Sequence, residues 1–407
     1  MSRYAHTQVW PPHGVETLPW RQQSRGGTRA DRMLSEVDAS IPPFIRELDY
    51  LPPLSVLMAM ERALLVVAQA DTDAEGHSDV LSHFMVRSES VASSKIERLA
   101  ASAEDYARAL GGQKSNSSAV SMVAASAALH ELITDVGNRG SFVVDDLLRA
   151  HHALMAHDLA ESANAGRFRD MQNWIGGSDF APRDALHVPP VPGRVEGLME
   201  DLIHYLNRDD IPVMVQAAIG HAQFESIHAF TDGNGRIGRA LVSAILHRRG
   251  VTRNAVIPLA SGLLARRDDY FTALGVYRLG DPAPLIDLFA RSAQAAAECA
   301  RETISRITSM PHEWQAELRP RLGSTMELLI DAFFDHPVLN TAEIEHLTGA
   351  SERQAFRAVD QLEAAGFLRE VTGRKRNRVW VASEVLAELD DLERRILRRM
   401  AALGADG

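Results

Sequence analysis

One cysteine, Cys299, stands in 407 residues. A lone thiol forms no internal disulfide and cannot supply a structural zinc site built on cysteines. A reducing, cytoplasmic setting is therefore the expectation. Also missing is a long uninterrupted apolar run. The most apolar stretch, LSVLMAMERALLVVAQA, is broken by Glu61 and Arg62. It reads as an amphipathic helix facing a core, and no membrane partner is expected. Arg3, Arg21, Arg25 and Arg29 have no apolar run beside them, which argues against a secretory leader. Positive charge is in deficit, with 43 Lys and Arg against 54 Asp and Glu and a net charge of −11. That balance excludes wholesale coating of nucleic acid and leaves room for a local basic patch. Internal repeats and low-complexity blocks are absent as well.

What remains is an ordinary globular composition on a chain long enough for two or three domains. Residues 1–35 are rich in Arg, Gln, Ser, Gly and Pro and read as a flexible tail. Residues 36–115 read as a helical region entered through Pro42-Pro43 and Pro52-Pro53. A core follows at 116–306. Its helices are interrupted by GRFRDMQNWIGGSDFAPRDALHVPPVPGR, whose apolar-alternating pieces flank Ser178 to Asp184 and predict a hairpin. Two further helices are expected over Val213–Ile227, with Val215, Ala218, Ile219, Ala222 and Ile227 on one face, and from Arg236 to Arg249. A proline-containing break at 311–320 opens a separate unit at 320–407. There TAEIEHLTGASERQAFRAVDQLEAAG predicts two helices with Thr341 and Ser351 as N-caps, and FLREVTGRKRNRVWVA predicts two strands around a basic tip. Helix-turn-helix plus wing is the economical reading. The fold class expected is mainly α, with a β-hairpin and a C-terminal winged helix-turn-helix.

The chemistry concentrates in HAFTDGNGRIGRA, residues 228 to 240. Gly233, Asn234 and Gly235 precede a helix whose first N–H groups lack internal partners, and together they form a nest that favours phosphate. Arg236 and Arg239, three apart, each carry a fork suited to phosphate oxygens. Asp232 would be repelled by phosphate unless a cation lay between them, which suits Mg²⁺. His228 is the natural group to take a proton from an incoming hydroxyl. Phe230 reads as the core anchor of the loop. The assembly is a nucleotide site with a base beside it.

HAFTDGNGRIGR resembles the signature of the Fic (filamentation induced by cAMP) family, His-Pro-Phe-x-Asp/Glu-Gly-Asn-Gly-Arg-x-x-Arg, departing from it at Ala229, where proline is usual. The resemblance implies a Fic-type helical bundle that transfers AMP from ATP to a protein Ser, Thr or Tyr hydroxyl with release of pyrophosphate. On it His228 is the catalytic base and Asp232 the Mg²⁺ ligand. Gly233 to Arg239, including Ile237 and Gly238, bind ATP. NWIGG resembles the family's target-docking flap, which carries over to Trp174, Ile175, Gly176 and Gly177. RRDDYFTAL resembles the segment whose tyrosine lines the nucleotide pocket, here Tyr270, although core-edge packing explains that residue equally well. SSKIER resembles the inhibitory motif Ser/Thr-x-x-x-Glu-Gly/Asn through Ser93 and Glu97. It implies auto-inhibition in which Glu97 pairs with Arg239 and displaces the γ-phosphate. Arg98 stands where Gly or Asn is usual.

The partners implied are a protein substrate, this chain itself included, and a homodimer. Arg353, Arg357, Arg374, Lys375, Arg376 and Arg378 are placed to meet DNA phosphates, yet Glu352, Asp360 and Glu363 accompany them. Protein docking ranks slightly ahead of DNA contact. Two alternatives to AMP transfer stay open at this point. One is a Fic-fold enzyme using another nucleotide or removing AMP; the other is a DNA-binding regulator that senses ATP.

Overall fold

The computed structural model describes residues 9–22, 25–112, 116–373 and 378–403. The chain begins with strand β1 (Gly14–Pro19), a short helix α1 (Arg29–Met33) and strand β2 (Glu36–Ile41). Helices α2 (Leu54–Asp73), α3 (Ser78–Ile96), α4 (Ala103–Leu110), α5 (Ser117–Arg139) and α6 (Val144–Met155) follow. After the irregular stretch come α7 (Pro192–Leu206), α8 (Val213–Ile227), α9 (Asn234–Arg248), α10 (Leu259–Ala265), α11 (Arg267–Arg278) and α12 (Ala283–Leu318). The C-terminal order is α13 (Thr325–Asp335), β3 (Val338–Asn340), α14 (Thr341–Thr348), α15 (Glu352–Ala364), β4 (Leu368–Glu370), β5 (Val379–Ala382) and α16 (Ser383–Leu403).

The chain forms two compact units, each assembled from separated segments: 1–61, 127–250 and 266–290 in the first, 62–126, 251–265 and 291–407 in the second. This division cuts across the linear segments expected from sequence. Residues 251–265, expected in the core at 116–306, group with the second unit because α10 packs on α3 and α16.

In the first unit α8 is the hub, flanked by α7 and α9. All of its residues are buried, including Gln216, His221, Gln223, Glu225 and Ser226. The single apolar face expected is therefore only part of the buried surface; polar side chains complete it through hydrogen bonds, such as Gln216 Nε2 to the Tyr205 carbonyl at 3.0 Å. The flexible tail expected at 1–35 needs correction over its described residues, 9–22 and 25–35. β1 pairs antiparallel with β2 from Gly14 opposite Ile41 to Pro19 opposite Glu36. Trp10 is buried against Tyr277, with ring centroids 6.1 Å apart. One buried indole and a backbone ladder hold a segment whose composition advertises neither.

In the second unit Asp71 accepts the N–H groups of Arg253, Asn254 and Ala255. Glu89 accepts that of Ala260 at 2.8 Å. The C-terminal strands form an antiparallel sheet in the order β3-β5-β4. Ala107 of α4 packs into the core of that sheet with Val338, Val371, Val379, Val381 and Leu386. α14 is capped by Asn340, which forms a capping box with Glu343, so the cap lies one residue before the expected Thr341. Ser351 caps α15 as expected. Pro311 lies inside α12, and the helix ends at Leu318, followed by Arg319 at φ 46° and Pro320. Arg374, Lys375 and Arg376 lie outside the described residues.

Among the described residues one helix, α5, is long and apolar enough by composition to cross a membrane. It also carries Asp135, which pairs with Arg149 at 2.8 Å, and a buried face of Leu129, Leu132 and Val136. Core helices of globular proteins have the same composition.

Candidate active site

The loop between α8 and α9 is fixed from below. Phe230 is fully buried, a contribution of roughly 2–3 kcal/mol for a side chain of this size. Asn234 ties the loop to itself: its Oδ1 accepts the Phe230 N–H at 2.9 Å, and its Nδ2 donates to the Phe230 carbonyl at 2.8 Å. Asn173, at the start of the expected flap, donates to the same carbonyl at 3.0 Å. Asn234 is thus a brace of the loop, and its backbone rather than its side chain faces the nest.

His228 ends α8 in a left-handed conformation, φ 49° and ψ 59°. A side chain there is strained by about 1 kcal/mol, which surrounding bonds must hold. Arg169 does so. Its guanidinium donates to the carbonyls of His228 at 2.8 Å, Met171 at 3.0 Å and Pro190, and its own N–H donates to Ala229 at 2.9 Å. Arg169 is buried and its pKa falls to about 10 through loss of hydration. Sequence reasoning passed over it, for an isolated arginine between glycines and prolines carries no periodic signal.

His228 as a residue is half-buried, and its ring Nδ1 is fully buried with no hydrogen-bond partner among the described residues. Desolvation, then the charges of Arg169 and Arg278, lowers its pKa from 6.5 to about 3. The imidazole is neutral at neutral pH, the form a general base requires.

Gly233 opens α9 at φ 78°, and a Cβ there would meet Leu154 Cδ2 at 2.9 Å. Its N–H donates to the Asp232 carboxylate at 2.6 Å, and Ile237 is the first residue to close an α9 bond, to the Gly233 carbonyl. The N–H groups of residues 234 to 236 precede that bond and have no partner within the helix. Asp232 is largely exposed and pairs with Arg236 across 3.5 Å. The two arginines are buried, not solvated. Arg239 Nη1 lies 3.5 Å from the Tyr270 hydroxyl, which also bonds His221 Nε2 at 2.8 Å. Tyr270, expected either to line the nucleotide pocket or to pack at the core edge, is itself buried. Ile237 is buried too, and Gly238 lets α9 approach α8: an added Cβ would come within 2.9 Å of Glu225 and 3.0 Å of Phe224.

A metal fits this site in one way. Among the described residues no cluster of three or more His, Cys, Asp or Glu can hold an ion. A lone exposed carboxylate beside an anion-seeking helix start suits Mg²⁺ bound jointly with substrate phosphates.

The hairpin beside the loop has one bridge, Ile175 opposite His187, with the Ile175 N–H donating to the His187 carbonyl at 2.9 Å. Trp174 Nε1 donates to the Ser178 carbonyl at 2.8 Å. Gly176 and Gly177 both take positive φ, and a Cβ on Gly177 would lie 2.3 Å from the Arg183 carbonyl. In the second unit Ser93 is buried on α3, and Glu97 caps the end of that helix with its side chain exposed. Arg98 has φ 61°. Its N–H donates to the Lys95 carbonyl and that of Leu99 to Ser94, a Schellman ending. The Gly or Asn usual at this position is thereby explained: those residues tolerate the left-handed turn, and here an arginine takes it.

A family model described as Fic/DOC family matches residues 141–246, the segment that contains every element of this loop. "Protein adenylyltransferase Fic" of Nematostella vectensis is 32% identical over 181 residues, covering 44% of this chain and 38% of that protein. "Protein adenylyltransferase fic-1" of Caenorhabditis elegans is 29% identical over 158 residues, 38% of this chain and 28% of that one. The chain thus spans well under half the length of these curated relatives. Among solved structures, a Fic family protein from Desulfovibrio desulfuricans aligns with a TM-score of 0.49 at 20% identity, over 83% of this chain and 98% of that one. The motif thus lies inside the segment, residues 141–246, that matches the Fic/DOC family model.

Proposed function

We propose that the protein is an adenylyltransferase that moves AMP from ATP to a Ser, Thr or Tyr hydroxyl of a protein. One observation carries the reading: a neutral imidazole is held at the end of α8, four residues before the carboxylate that adjoins the N-terminus of α9. The target oxygen attacks the α-phosphorus, the bond from that phosphorus to the bridging oxygen breaks, and pyrophosphate leaves. The hydroxyl proton passes to His228. Asp232 would hold Mg²⁺, which supplies charge neutralisation when bound. The α9 N–H groups, Arg236 and Arg239 balance the phosphate charge by fixed dipoles and guanidinium forks.

The flap residues Trp174 to Gly177 are proposed to dock the target strand, and Glu97 to restrain transfer. The C-terminal module is proposed to dock protein ahead of DNA, since exposed Arg353 and Arg357 share α15 with exposed Glu352 and Asp360. The test uses ATP labelled on the α- or the γ-phosphate. Label enters protein from the α position only, more after Glu97→Gly and not at all after His228→Ala. Incorporation from the γ position would contradict the proposal.

A further inference from the structure

The loop joining β1 to β2 is the most basic surface of the first unit's N-terminal hairpin. Between residues 20 and 35 it carries Arg21, Arg25, Arg29 and Arg32 against a single acid, Asp31. All four arginines are exposed. Asp31 is buried and turned inward, accepting the Thr28 N–H at 2.7 Å and pairing with Arg183 at 2.9 Å, so it does not neutralise them. Trp20, Arg21, Arg25, Arg32, Met33 and Ser35 surround a concavity of about 570 Å³. Such a surface stands out on a chain of net charge −11.

Three contacts make this loop continuous with the flap. Trp20 meets Trp174 edge to face, centroids 5.5 Å apart. Phe180 lies over Gly26 and Gly27, where an added Cβ would come within 2.5 and 2.9 Å of its side chain. Asp31 holds Arg183 from the far arm of the flap. The arginine-bearing loop and the flap are therefore neighbours on the first unit.

We propose that the β1–β2 loop is a docking surface for an acidic, extended segment of the target protein, next to the hydroxyl that receives AMP. The proposal rests on the adenylyltransferase reading for the identity of the occupant. Guanidinium forks pair two-pronged with Asp and Glu carboxylates, and a locally basic patch on an acidic chain steers an acidic segment toward it. Exposed Met33 and the aromatic pair Trp20–Trp174 give the segment's apolar side chains a surface.

The experiment uses the full chain and two fluorescent peptides with one central serine, one flanked by Glu and Asp and the other by Lys. Anisotropy at low salt gives Kd for each, and a fluorescent ATP analogue is titrated in parallel. The acidic peptide binds at least about tenfold more tightly than the basic one, and added salt erodes the difference. Arg21→Glu/Arg25→Glu/Arg32→Glu reverses the preference while nucleotide affinity stays unchanged; the milder Arg→Gln triple abolishes it. Equal binding of the two peptides, or a preference that survives charge reversal, overturns the proposal. So does arginine-dependent binding of a short DNA duplex with no binding of the acidic peptide. A chain that binds the peptide selectively but no nucleotide refutes the adenylyltransferase reading and leaves the acidic preference standing.

Discussion

The imidazole of His151 lies flat on the ring of Phe230, centroids 3.8 Å apart and planes within 3°. The stack positions the histidine's two nitrogens. Nδ1 accepts the Gly166 N–H at 3.0 Å, so Nε2 carries the proton and donates to the Asp232 carbonyl at 3.1 Å. Burial lowers its pKa to about 4, which keeps it neutral. His151→Phe retains stacking area and loses both bonds. The expected cost is about 1–2 kcal/mol, because a part-buried N–H and a part-buried carbonyl lose their partners. Urea unfolding reads the loss as a lower midpoint. Nucleotide affinity falls with it, since the Asp232 backbone is no longer anchored.

Acid sensitivity follows from five histidines of the first unit. His13, His151, His187, His221 and His228 all have pKa values lowered chiefly by burial. An unfolded histidine titrates near 6.5, so below that pH the unfolded chain takes up protons that the folded chain refuses. The stability they confer is whole above about pH 6.5 and is lost as pH falls toward about 3–4. Tm measured from neutral to mildly acidic pH should be flat first and then fall, starting near the histidine range. A Tm unchanged to about pH 5 would contradict the burial of these rings.

Arg169 is a positioning residue. It touches no reacting group and fixes the carbonyls around His228. Arg169→Lys keeps the charge but cannot reach several carbonyls from one planar fork. The expected result is a stability loss of about 2–3 kcal/mol, by the usual worth of charged hydrogen bonds. A fall in kcat larger than any rise in KM for ATP accompanies it. Parallel kinetics and thermal unfolding separate the two effects, and an equal loss in both kinetic constants would argue for a merely structural role.

The core of this site was legible because its signals are local. HAFTDGNGRIGRA fixes a helix end, a nest and a helix start within thirteen positions, and α8 has the expected bounds. The clamp at Arg169 and the stack of His151 on Phe230 were not legible. Both join residues roughly 60 to 80 positions apart in the chain, a separation at which single-sequence pattern is silent. The N-terminal hairpin escaped notice for another reason: GVETLP and EVDAS are short, polar and separated by an arginine-rich loop. Burial of the motif arginines was hidden because the partners that take them into the core, such as Tyr270, come from distant helices.

Arg98 gives a test with the opposite sign. At φ 61° it occupies the left-handed position of a Schellman ending, which glycine takes without strain. Arg98→Gly should raise stability by about 1 kcal/mol, offset in part by the entropy glycine adds to the unfolded chain. A higher denaturation midpoint checks it. Arg98→Ala, which retains the Cβ strain, should not share the gain.

The central claim is that this loop transfers a nucleotide onto a hydroxyl with His228 as base. Its most direct test is intact-mass spectrometry of the Glu97→Gly protein after incubation with Mg²⁺ and a mixture of ATP, GTP and CTP, followed by peptide mapping. The account predicts an AMP adduct on a Ser, Thr or Tyr side chain, lost when His228→Ala is added to Glu97→Gly and lost when Mg²⁺ is chelated. An adduct of another nucleotide, a phosphoryl adduct, or an AMP adduct that persists after His228→Ala would contradict it.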